Sequence, residues 1–171
     1  MTAPARRIVL TVAAASATAL AVAAFAPPEQ GVFLWNRTQS APKGLYWRGD
    51  GALETGDWAI VSARAPAAVW TAEHGFLAPE WPLIKRVAGV PGDEICREDE
   101  RVFINGALAA VALRNDFTGR ELPRWSGCKA LEDGEFFLLN DHPRSLDGRY
   151  FGATKAEDIG GKARLLWSVK R

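Results

Sequence analysis

Ser40, Lys85 and Ser145 are the residues whose types and settings could do chemistry, and Lys85 is the most anomalous. It lies in Pro82–Glu94, PLIKRVAGVPGDE. The first half of that run alternates like a strand, with Leu83, Lys85 and Val87 on one face and Ile84 and Arg86 on the other. The second half, Val90-Pro91-Gly92-Asp93, is built from turn residues. A lysine between two apolar residues on a core-facing stripe is costly to bury charged, so the site favours the neutral amine. A neutral lysine is a general base. A lysine that snorkels to water from an edge strand is the plainer reading of the same pattern.

A serine hydroxyl becomes a nucleophile only with a base beside it. Ser40 sits in the turn-rich stretch Asn36–Gly44, NRTQSAPKG, and Ser145 in the polar loop Asn140–Gly152, NDHPRSLDGRYFG. The candidate bases are His74, His142 and Lys85. A Ser-His-Asp arrangement could draw on His142 with Asp141 or Asp147. However, His142 precedes Pro143 in a loop, with nothing in the sequence to fix its ring. Lys85 is on a strand and can be both held and desolvated, so a serine–lysine dyad is the better physical match. Taken singly, Ser40 is an ordinary turn serine, and Ser145, Asp147 and Arg149 a solvated loop. His74 and His142 read as surface or structural residues.

The elements that must position these groups come from a chain of 171 residues, enough for one domain with a real core. Its 21 basic and 20 acidic residues leave a net charge of +1, which gives no argument for a nucleic-acid partner. The two cysteines, Cys96 and Cys128, form no CxxC or Cys/His cluster, so neither a structural metal nor a cofactor is expected. They read as two free thiols or as one disulfide, depending on compartment.

Met1–Arg7 is short and basic, and Ile8–Ala26 is uncharged and apolar. At about 1.5 Å per residue that run reaches across a bilayer core, and Pro27-Pro28 ends it. Ala24-Phe25-Ala26 resembles a signal cleavage site, but Pro27 fits poorly after a cut and the apolar run is long for a cleaved leader. We therefore expect residues 1–28 to be a single transmembrane anchor and residues 29–171 to lie outside the cytoplasm. An oxidising compartment favours the Cys96–Cys128 disulfide, worth roughly 3–4 kcal/mol in the chain-entropy model.

Beyond the anchor the sequence predicts short strands at Gln30–Trp35, Leu45–Trp47, Trp58–Ser62, the Lys85 run, Glu94–Cys96, Val102–Ile104, Ala107–Leu113, Glu135–Leu139 and Leu165–Val169. Asn105-Gly106 marks a type I′ hairpin. Arg64–Pro82 reads as irregular, and Asn115–Gly127 and Asn140–Gly152 as loops. The expected fold class is mostly β, with short antiparallel strands and no long amphipathic helix.

Four stretches, in order, resemble the bacterial type I signal peptidases. Ser40-Ala41-Pro42-Lys43-Gly44 is similar to a Ser-x-Pro-x-Gly nucleophile motif. Gly56-Asp57-Trp58-Ala59-Ile60-Val61 resembles the strand motif that follows it. Lys85–Asp93 resembles the base motif Lys-Arg-Val-x-Gly-x-Pro-Gly-Asp. Ser145, Asp147, Arg149, Tyr150 and Gly152 resemble the last motif, Ser-x-Asp-x-Arg-Tyr-x-Gly. The series Asn36, Thr38, Ser40, Pro42, Gly44, Tyr46, together with Trp125-Ser126-Gly127-Cys128, looks like the TraF-type peptidases of conjugative transfer systems. A single anchor, Pro42 one place earlier and Asn140-Asp141 in place of Gly-Asp-Asn depart from the housekeeping leader peptidases.

That resemblance implies a signal-peptidase-like β-domain and a role for each matching residue. Ser40 would be the nucleophile and Lys85 the neutral general base. Ser145 would orient Lys85. The Ser40 backbone N–H and the Thr38 hydroxyl would hold the oxyanion. Asp147 and Arg149 would pair to brace the Ser145 loop. The implied partners are a precursor protein, either a pilin or a secreted preprotein, and membrane lipid. The implied location is the inner membrane, single-pass, with the domain on the periplasmic side. Seven tryptophans are many for this length, and we expect some of Trp35, Trp47, Trp70, Phe76 and Trp81 to meet the membrane interface. A non-catalytic, membrane-anchored assembly partner with the same fold is the alternative. A self-cleaving repressor-type protease fits poorly with an outside domain.

Overall fold

The computed structural model describes residues 33–169. The expected anchor, Ile8–Ala26, lies outside the described residues, as do the candidate cleavage site and the start of the first expected strand. Among the described residues no helix is long and apolar enough to cross a membrane.

The described chain is mostly antiparallel β. Its strands are β1 (Phe33–Asn36), β2 (Gly44–Gly49), β3 (Trp58–Val61), β4 (Leu83–Gly89), β5 (Glu94–Glu98), β6 (Arg101–Ile104), β7 (Ala107–Val111), β8 (Gly127–Ala130), β9 (Glu135–Leu138), β10 (Thr154–Lys155) and β11 (Ile159–Ser168). A seven-stranded sheet runs β1-β2-β11-β3-β4-β9-β10, and a four-stranded ribbon runs β7-β6-β5-β8.

The alternation in Pro82–Glu94 puts β4 inside the large sheet, between β3 and β9. Its two faces feed two cores. Leu83 and Val87 pack with Ala59, Val61 and Leu138, while Ile84 packs with Ile60, Tyr46, Ala41 and Ala163. Lys85 is therefore on a central strand, where a side chain cannot snorkel out along an edge. The Asn105-Gly106 turn has φ of 51° and 79°, as a type I′ hairpin requires.

Four expectations change. Arg64–Pro82 is not wholly irregular, because α1 (Pro66–Glu73) lies within it. Pro66 opens α1 with its preset φ, and Gly75, in a left-handed conformation (φ 76°), follows its end. The helix is short and apolar on most sides, so no 3.6-residue stripe marks it. β8 lay within and just after an expected loop; its register against β5 depends on partners far away in sequence. The last strand begins at Ile159 rather than Leu165, and its glycines mask the pattern. Asn140–Gly152 contains a one-turn helix, α2 (Gly148–Phe151), capped by the Asp147 side chain.

Candidate active site

The turn that carries Ser40 is folded by an asparagine. Asn36 ends β1, and its Nδ2 donates to the carbonyls of Thr38, Ala41 and Pro42 at 3.1–3.2 Å. Its Oδ1 accepts from Thr38 N–H at 3.0 Å and from the Thr38 hydroxyl at 2.7 Å. Donors and acceptors on both ends of the amide fix its orientation. Buried Tyr46 adds its hydroxyl to the Pro42 carbonyl at 2.8 Å, and burial pushes that phenol up to about 12. Gly44 has a steric reason: a Cβ there would lie 1.9 Å from the Trp167 carbonyl oxygen of β11, at a φ of 151°. Asn36, Gly44 and Tyr46 thus set the shape of the loop around Ser40.

Lys85 is 5% exposed. Its Nζ donates to Ser145 Oγ at 3.0 Å. Burial, opposed by the Asp147 charge and assisted by that of Arg149, lowers its pKa from 10.5 to about 8.

Ser145 is held by a buried network. Asp147 accepts at Oδ1 from Arg149 Nε at 2.8 Å and from Arg149 N–H at 3.2 Å. Arg149 also donates to the carbonyls of Asn140 and Pro143. Both charged side chains are almost fully buried. Gly148 allows α2 to lie directly on β9, since a Cβ there would come within 2.8 Å of the Leu138 carbonyl oxygen.

Asn140 is a positioning residue that sequence reasoning missed. It is 1% exposed. Its side chain accepts from Arg86 N–H at 2.8 Å and donates to the Ile84 carbonyl at 3.2 Å, gripping β4 on either side of Lys85. Its own N–H donates to Asp147 Oδ2 at 3.1 Å. The sequence signals were that Asn140 directly follows an apolar strand and opens the Asn140-Asp141 pair; neither showed its bonds to β4.

Ser40, Thr38, Lys85 and Ser145 all line one groove of about 530 Å³, together with Trp35, Trp81, Leu83, Ile84, His142 and Leu146. Ser40 and Lys85 face this groove without a hydrogen bond between them; the Ser40 hydroxyl instead lies 3.4 Å from that of Thr38. Thr38 has one proton, and Asn36 Oδ1 takes it. A histidine triad is not assembled. His142 Nδ1 accepts from Arg144 N–H, Asp147 is committed to Arg149, and Asp141 is exposed beside Arg86. His74 stacks on Trp70 and bonds its carbonyl, away from the groove. Among the described residues no cluster of three or more His, Cys, Asp or Glu side chains could hold a metal. Cys96 and Cys128 are joined in a disulfide.

The family described as "Signal peptidase, peptidase S26" matches residues 5–168. The chain belongs to that family. Within it, the chain falls in the TraF-type branch: it is 33% identical over 135 residues to a plasmid transfer protein TraF of Escherichia coli, covering 72% of this chain and 76% of the relative. Signal peptidase I V of Bacillus subtilis (strain 168) is 31% identical over 90 residues, covering 46% of this chain and 54% of that one. A crystal structure of a signal peptidase I from Enterococcus faecalis V583 overlays with a TM-score of 0.38 at 22% identity, covering 67% of this chain and 98% of that chain. In this signal peptidase family member, Ser40, Lys85 and Ser145 line one groove.

Proposed function

We propose that the chain is a membrane-anchored serine endopeptidase that removes signal peptides or matures pilin precursors. Ser40 acts as nucleophile and Lys85 as general base. The observation that carries this reading is Lys85. It is an amine buried on a central strand, lowered to about 8 and held by Ser145, in the groove that Ser40 also lines. The bond to Ser145 uses an N–H, which leaves the lone pair of the neutral amine free for the Ser40 proton. A substrate strand in the groove closes the space between them, as catalytic hydrogen bonds tighten in the Michaelis complex.

Ser40 Oγ attacks the scissile carbonyl while its proton passes to Lys85 Nζ. The oxyanion is met by the Ser40 backbone N–H, and by the Thr38 hydroxyl once it turns from Asn36. The Lys85 ammonium then protonates the leaving amine, and an acyl-enzyme on Ser40 remains. Water releases a linear product. An amine at the other end of the same substrate would release a cyclic one. The first relative's name, a plasmid transfer protein, supports a precursor from a conjugative system.

Membrane contact is argued from Trp35 and Trp167, exposed and 5.8 Å apart, with Phe33 and Leu166 also exposed. Trp81 is exposed at the groove, whereas Trp47, Trp70 and Phe76 are half-buried and serve packing. The disulfide fits a periplasmic domain.

The test is cleavage of a cognate precursor in membranes, read by mass spectrometry. Ser40→Ala and Lys85→Ala each abolish it while the fold is kept, and Trp35→Ser with Trp167→Ser weakens liposome binding. Full cleavage by Lys85→Ala would refute the dyad, whereas no cleavage by the wild-type protein would leave the non-catalytic assembly partner as the reading.

A further inference from the structure

The four-stranded ribbon contributes no residue to the groove, yet one of its side chains, and one just before its last strand, reach the turn that holds Ser145. Arg97, on β5, is 2% exposed. Its Nη1 donates to the Arg149 carbonyl at 2.6 Å, and its Nε to the Asp99 carbonyl at 2.8 Å. Trp125, just before β8, donates Nε1–H to the Gly148 carbonyl at 3.0 Å. Gly148 and Arg149 directly follow Asp147, so both donors hold the backbone of the turn whose Arg149 side chain bonds the carbonyls of Asn140 and Pro143.

The ribbon holds the two donors together. The Arg97 guanidinium lies 6.0 Å from the Trp125 ring centre, and that ring meets Phe137 of β9 edge-on at 6.2 Å. Cys96 and Cys128 face one another across β5 and β8 and are disulfide-bonded, with Arg97 paired to Gly127 beside them. The disulfide therefore lies one residue from Arg97 and three from Trp125. A buried guanidinium is costly unless it is hydrogen-bonded, and Arg97 donates to two backbone carbonyls, one of them in the Asp147–Arg149 turn.

We propose that Arg97 and Trp125 are positioning residues: from the ribbon, and clasped by the Cys96–Cys128 disulfide, they hold the Asp147–Arg149 turn so that Ser145 meets Lys85. This rests on the serine–lysine reading above. It gives the ribbon a part in the reaction although it never touches substrate. The charged groups that bear on Lys85 are Asp147 and Arg149, and both belong to the turn the ribbon grips. Loosening the turn admits water to the Lys85 amine and lets it recover its charge.

Trp125→Phe keeps the ring and removes the donated hydrogen bond. Full-length enzyme carrying Trp125→Phe, Arg97→Met or the double change Cys96→Ser/Cys128→Ser is assayed for kcat, KM and the pH dependence of kcat/KM, well below each melting temperature. Leu108→Ala, exposed on β7, is the ribbon control. The expected result for the three clamp variants is a kcat loss between about tenfold and a hundredfold with little change in KM. The ascending pH limb also moves up by about half a unit or more, while Leu108→Ala behaves as wild type. A wild-type pH limb and kcat in Trp125→Phe and Arg97→Met, alongside an inactive Lys85→Ala, overturn the clamp and leave the dyad standing. An active Lys85→Ala overturns both.

Discussion

At the scale of single residues, the chemistry rests on what burial does to one amine. The folded protein holds Lys85 at about 8 whereas the unfolded chain titrates near 10.5. The folded pKa is the lower one, so the unfolded state binds more protons between those values, and stability rises with pH across that window. The penalty for burying the ammonium is present in full below pH 8 and is gone above about 10.5. Lys85→Met removes it and should stabilise the protein on the order of 3 kcal/mol at pH 7, less as the pH approaches 10. Urea midpoints of wild type and variant at pH 7 and pH 9.5 test this. An advantage equal at both pH values would contradict a buried cation. Lys85 was legible in the sequence because period-two alternation put a charge on an apolar face. Asn36 and Asn140 were not, because asparagine beside a strand looks like turn chemistry until its distant partners are known.

At the scale of elements, β4 must hold Lys85 within hydrogen-bond reach of Ser145, and Asn140 fastens that strand. Asn140→Ala leaves Arg86 N–H and the Ile84 carbonyl without these partners. It should cost about 2–4 kcal/mol and lower kcat as well. Asp141→Ala, whose carboxylate is exposed and 3.9 Å from Arg86, should change stability by less than about 0.5 kcal/mol. Equal effects of the two, read by urea unfolding and turnover, would remove Asn140 from the positioning account. Strands with clean alternation or a diagnostic turn, such as β4 and the β6–β7 hairpin, could be read from the sequence. α1 and β8 could not: one is too short and evenly apolar to show a face, and the other takes its register from β5 and its cross-strand cysteine.

At the scale of the whole molecule, labour is divided between two sheets. The seven-stranded sheet supplies β1, the end of which starts the Ser40 turn, and β4, which carries Lys85, so strands far apart in sequence frame one groove. The ribbon stands off the groove and grips the Ser145 turn through Arg97 and Trp125. The central claim is that a neutral Lys85, and not a histidine, takes the Ser40 proton. The pH dependence of kcat/KM for precursor cleavage, measured for wild type and His142→Ala side by side, tests it most directly. One ascending limb with its midpoint near pH 8 is expected in both proteins. A midpoint near 6.5, the ordinary histidine value, that disappears in His142→Ala would contradict it.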